Sequence, residues 1–110
     1  MTDRDIILNY YDSVIALRSI QRQLTWNQLH GLPEMNFPEQ LKELKAELKR
    51  FEELLDRIQD RRTRIAMRCR YALGWTTRET SVFMDLDRNI ISAITTAALR
   101  RIDQGDRHRA

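Results

Sequence analysis

From Glu39 onward the apolar residues Leu41, Leu44, Leu48, Phe51, Leu55 and Ile58 recur at alternating three- and four-residue steps. After Arg62 the same spacing resumes with Ile65, Cys69 and Ala72. A stripe sustained over four heptads restricts the segment to a helix that must bury one side against another helix, since only a period near 3.6 keeps those side chains on one face. Glu43, Glu47, Lys49, Glu52 and Glu53 supply the charged outer positions expected of a coiled-coil-like helix. The spacing predicts an unbroken helix over 39–73, roughly 50 Å long at 1.5 Å per residue. Arg62 is its one polar seam residue, where the stripe changes partner.

A second stripe precedes it. Ile7, Tyr10, Val14, Leu17 and Leu24 predict a helix over residues 3–29, roughly 40 Å long, with Asp3 as N-cap. It ends near Leu29-His30-Gly31, where the glycine can take the left-handed conformation that other residues resist. Gly31-Leu-Pro-Glu-Met-Asn-Phe-Pro38 carries both prolines and marks a loop, with Pro38 suited to the first turn of the next helix. The two helices therefore form either a hairpin within one chain or a coil shared between two chains, and Trp26 is expected in that packing. Alternating strand patterns and hairpin turn dipeptides are missing, so the fold class expected is all-α.

Charge separates the chain into two segments. Residues 1–56 hold 7 Lys+Arg against 10 Asp+Glu, a net −3, whereas residues 57–110 hold 12 against 6, a net +6. Clustered positive charge neutralises phosphates and an acidic segment does not, so the segments suit different partners. The division predicted is a helical oligomerisation or docking segment over 1–56, a second unit over 57–104, and a polar tail without structure over 105–110. Arg57, Arg61, Arg62, Arg64, Arg68 and Arg70 open the basic segment, six arginines within fourteen residues.

That helix is expected to stop at Ala72-Leu73-Gly74. Thr76 or Thr77 then caps a short helix, with Glu79 as the capping-box acid. Val82, Phe83 and Met84 lead into Asp85-Leu86-Asp87, after which Ile90, Ile91, Ile94, Ala98, Leu99 and Ile102 mark another helix. Trp75 is expected to close a small core over Phe83 and Leu99. A helix, a tight turn with a buried leucine, and a second helix capped by Asp87 together describe a helix-turn-helix.

Three runs, Gly74-Trp75-Thr76-Thr77-Arg78-Glu79, Met84-Asp85-Leu86-Asp87-Arg88-Asn89-Ile90-Ile91 and Ala98-Leu99-Arg100-Arg101-Ile102, resemble the DNA-binding region 4 of sigma factors. Where that family has a Glu-Ile-Ala triplet and a turn glycine, this chain has Glu79-Thr80-Ser81 and Asp85, so Thr80 puts a hydroxyl where an isoleucine would pack. Over its whole length the chain is similar to phage-encoded late-gene transcription activators of the ArpU/RinA type. The resemblance implies transcriptional control through duplex DNA by a phage or prophage protein, with RNA polymerase as a further partner.

On that reading, side chains pointing away from the Ile91, Ile94 and Ala98 face reach base edges: Arg88 to guanine, Asn89 to adenine, Ser92 and Thr96 to a base or phosphate, and Ala93 to a thymine methyl. Thr76, Thr77 and Arg78 sit at a helix N-terminus suited to phosphate, with Arg68, Arg70, Arg100 and Arg101 as backbone clamps. A homodimer is expected, since one such unit covers little DNA. Two rivals remain: a protein-interaction module binding polymerase or another host protein, and a phage DNA-packaging recognition subunit.

Other classes find little support. Cys69 is the sole cysteine and reads as a small buried residue in a reducing cytoplasm. The N-terminus lacks a secretion signal, and no run approaches the ~20 apolar residues of a membrane span. His30 and His108 lack companions at ligand spacing, and no nucleophile-base set or phosphate-binding glycine loop occurs. The expectation is a protein with no catalytic residues, metal or cofactor.

Overall fold

The computed structural model describes residues 1–109, excluding the side chains of His108 and Arg109, and is all-helical over that span. The helices are α1 (Asp3–Leu29), α2 (Phe37–Asp56), α3 (Arg61–Met67, continued by a π-helical turn over Arg68–Ala72), α4 (Thr77–Met84) and α5 (Arg88–Arg109). No helix among the described residues is long and apolar enough to cross a membrane.

α1 starts at Asp3 as expected, but its N-cap is Thr2 and not Asp3. The Thr2 hydroxyl accepts the Asp5 amide at 3.1 Å and the Asp5 carboxylate accepts the Thr2 amide at 3.2 Å, a reciprocal capping box. That exchange frees the Asp3 carboxylate, which is buried and takes a two-pronged ion pair from Arg50 at 3.0 Å on each oxygen. α1 ends as expected at Gly31, whose φ of 64° lets the Leu32 amide reach back to the Asn27 carbonyl at 2.7 Å.

From there α2 returns along α1. Tyr10 stacks on Phe51 with ring centroids 3.8 Å apart, and the Ser13 hydroxyl donates to Glu47 at 3.3 Å. Ile7, Phe51 and Leu55 are fully enclosed, with Leu54, Met67 and Ala98 completing one cluster that α1, α2, α3 and α5 share. Each such side chain removed from water contributes about 1.5–3 kcal/mol. The inner stripes of α1 and α2 thus cover each other within one chain. Trp26 departs from expectation: it is 56% exposed and leans on His30 on the outer side.

The unbroken helix over 39–73 is overturned. α2 stops at Asp56, Arg57 to Asp60 form a link, and the chain restarts at Arg61. Asp60 takes an extended backbone and caps α3, its carboxylate accepting the Thr63 amide at 3.2 Å and the Thr63 hydroxyl at 2.6 Å. Arg64 reaches back to the carbonyls of Ile58 and Gln59, filling acceptors that the broken helix leaves open. Arg62 consequently lies exposed in the first turn of α3, on no seam.

At the other end, α5 runs through Gly105 to Arg109 where a polar tail without structure was expected. Its Asp106 carboxylate accepts the Asp3 amide at 2.9 Å and the Arg4 amide at 3.1 Å, which fastens the last turns of α5 to the first turn of α1. Ala110 lies outside the described residues.

Two outcomes follow for stability. Arg50→Ala leaves the buried Asp3 carboxylate without its guanidinium and is expected to cost about 2 kcal/mol in urea unfolding, against about 1 kcal/mol for Asp106→Ala. Hydrogen bonds from Thr2, Thr63 and Arg68 hold the carboxyls of Asp5, Asp60 and Glu52 below their ordinary values. A depressed folded value stabilises above the unfolded pKa and is lost as pH falls, so the melting temperature should stay level from neutrality to about pH 5 and drop below about pH 4.

Candidate nucleic-acid interface

α3 ends in a wide turn in which the Leu73 amide reaches the Arg68 carbonyl at 3.0 Å, and Gly74 follows with φ 70°. A Cβ at Gly74 would lie 3.1 Å from the Tyr11 ring, so the chain passes close over α1 here. Thr76 then caps α4 with Glu79 in a second capping box: the Thr76 hydroxyl accepts the Glu79 amide at 3.1 Å, and the Glu79 carboxylate accepts the Thr76 amide at 3.0 Å. Those hydrogen bonds to Thr76 hold the Glu79 carboxyl below its ordinary value.

Thr80 occupies the position where the sequence suggested a packing mismatch. It is fully buried, and its hydroxyl donates to the Thr76 carbonyl at 2.9 Å, which removes the cost of the polar atom. α4 ends at Asp85, a non-glycine residue in the left-handed region with φ 54°. The Leu86 amide returns to the Ser81 carbonyl at 3.1 Å, and the Ser81 hydroxyl donates to the Leu86 carbonyl. Asp tolerates this conformation better than most residues, which explains how the turn closes without glycine. Asp87 then opens α5, its carboxylate accepting the Asn89 amide at 2.7 Å.

On α5 the buried residues Ile91, Thr95 and Ala98 define the inner side. At 100° per residue, Asn89, Ala93, Thr96 and Arg100 stand on the opposite side and all are exposed. Ser92, also exposed, borders that stripe, while Arg88 is exposed at the first residue of α5, about 20° around the helix from buried Thr95. Five of the twelve residues expected to contact DNA are thereby gathered on one side of the helix, and Arg88 stands apart from them. Ile90 was expected on the apolar side but is half-exposed.

The remaining candidates separate. Arg68 turns back to α2 and forms a bidentate pair with Glu52, at 3.0 and 2.8 Å, so it is spent within the chain. Arg70 donates to the Trp75 carbonyl and lies over the Tyr71 ring, which makes it a brace for the turn. Arg101 stands about 120° around α5 from Asn89 and faces the link between α2 and α3. Thr76 is committed to its cap, Thr77 is half-buried, and Arg78 is exposed beside them.

Sequence reasoning missed the aromatic patch on α4. Trp75 meets Phe83 edge-on at 5.1 Å, but Val82 is 77% and Phe83 63% exposed, so the expected Trp75–Phe83 contact forms at the surface and not in a small core. Val82 and Phe83 follow Ser81 on the outer side of a helix only eight residues long, too short for periodicity to assign faces. Comparison with protein-family models, with curated proteins and with solved structures returned no match for this chain.

The turn supplies its own test. Asp85→Gly removes the left-handed strain and should raise stability by about 0.5–1 kcal/mol, whereas Asp85→Val should lower it by more than that; urea midpoints at constant slope would register both.

Proposed function

We propose that the chain is a sequence-specific duplex-DNA-binding regulator of transcription, with α4 and α5 acting as a helix-turn-helix and α5 entering the major groove. One observation carries the reading: Asn89, Ser92, Ala93, Thr96 and Arg100 are exposed together on the outer side of a helix anchored on its inner face by Ile91, Thr95 and Ala98, with Arg88 exposed at its first residue. A planar guanidinium and a carboxamide at the start of such a helix have the donor and acceptor geometry that reads guanine and adenine. Arg78 and Arg100 supply phosphate contacts and most of the affinity. The reading includes no catalytic step. A second copy completes it, since one unit reads only one half-site; the chain's own inner stripes being mutually covered, the copies meet through another surface.

A second reading has an observation of its own. Leu29 at 77% exposure stands beside Trp26 at the end of α1, and Met35 at 74% lies in the loop that follows, an apolar display suited to a protein partner such as polymerase. Under that reading partner binding survives loss of Arg88 and Asn89.

Selection from a random duplex pool at several salt concentrations separates the two. The native chain should enrich a defined site, the Arg88→Ala/Asn89→Ala variant should lose the enrichment, and Arg100→Ala should weaken all duplexes while reducing the salt slope by about one. Arg68→Ala should change affinity less than about twofold, because Glu52 already occupies that guanidinium. Absence of binding to any duplex at low salt overturns the DNA reading.

A further inference from the structure

Where α2 breaks off and α3 swings away, a cleft of ≈ 950 Å³ opens between the 57–60 link, α3 and α5. Its floor is apolar, built from Leu54, Ile58, Ile94, Ala98 and Ile102. The two acidic groups along it already have work elsewhere: Asp3 holds Arg50, and Asp60 caps α3. The rim carries Arg57 and Arg101, both exposed and without an ion pair among the described residues. Each guanidinium offers five N–H donors and no acceptor.

We propose that this cleft binds a small amphipathic anion, a molecule with an apolar body and a single carboxylate, sulfonate or phosphate head. The volume falls in the range of small-molecule sites, and an apolar chamber with a few convergent polar groups is their usual composition. The head pairs with Arg57 and Arg101, for which bidentate geometry favours a planar or tetrahedral oxyanion. The body covers Ile58, Ile94 and Ile102. A nucleic-acid phosphate would satisfy the guanidiniums but leave that floor wet, so the apolar residues argue for the amphiphile. The cleft and the outward stripe of Asn89, Ala93 and Thr96 lie on different sides of α5, and the inference stands whether or not α5 binds DNA.

Calorimetric titration of the full chain with decanoate, below its micelle concentration, tests the proposal, with decanesulfonate and decyl phosphate as alternative heads and decyl glucoside as the uncharged control. One saturable site per chain is expected for the anions, at least tenfold weaker for the glucoside. Arg57→Gln/Arg101→Gln should weaken decanoate at least tenfold. Ala97→Trp, which places an indole at the exposed mouth of the cleft, should abolish binding with the helical circular dichroism unchanged. If Ala97→Trp fails to fold, the arginine pair, lying on the surface, still decides the matter. No anion binding, or binding that neither variant diminishes, overturns the proposal. So does loss of duplex binding in the arginine variant with decanoate binding intact, which would make the pair a phosphate clamp.

Discussion

The first turn of α1 holds the molecule together, because every amide that a helix start leaves without a partner is filled there, and two of the four are filled by the far end of the chain. Thr2 and Asp5 exchange bonds with each other, while Asp106 receives the amides of Asp3 and Arg4. Three carboxylates gathered at the positive end of a 27-residue helix would repel one another. Arg50 offsets this by taking Asp3 on both oxygens and Glu53 at 3.2 Å. α1, α2 and α5 meet through this one network, directly above the cluster of Ile7, Phe51 and Leu55.

That closure determines what the other segments can do. α5 is fastened to α1 at its end and joins the shared core through Ala98 in its middle, while its first turns, with Ile91 enclosed, pack between α4 and α3. The side chains proposed to read DNA are therefore carried by a stretch of α5 held from beneath by Ile91, Thr95 and Ala98 and entered through a turn that stores backbone strain at Asp85. Thr80 adds no further cost to this unit. Its enclosed hydroxyl bonds α4 to itself and needs nothing from the core.

Much of this was legible in the residues. The two stripes, Gly31 and the 31–38 loop gave α1 and the start of α2 within a residue or two, since periodicity and punctuation agree there. The α2 to α3 break was not legible, because neither glycine nor proline marks it and Ile58, Ile65 and Cys69 continue the spacing across it. Its only local trace is Asp60 three residues before Thr63, a capping pair whose strength is visible only once both bonds are seen. The outward residues of α5 were recoverable because a 22-residue helix has a well-defined inner side. Which arginines are available was not, for a sequence cannot say that Arg68 returns sixteen positions to Glu52 or that Arg70 is committed to the Trp75 carbonyl.

The same break explains why the basic segment does not act as one surface. Had the helix continued from Asp56, arginines 57 to 70 would wind around a single cylinder as a solvated charge belt. Because the chain turns at the link, Arg64 is drawn in to satisfy carbonyls, Arg68 and Arg70 close onto α2 and the α4 turn, and Arg57 is carried to the cleft that Arg101 also lines. A net charge of +6 over residues 57–110 thus resolves into internal braces, a cleft rim and a short stripe on α5. Affinity for a polyanion scales with guanidiniums that can reach it and not with their number in the sequence. On α4 and α5 the weight of any DNA contact consequently falls on Arg78, Arg88 and Arg100, which, like Arg61 and Arg62 in the first turn of α3, are exposed and carry no internal bond among the described residues.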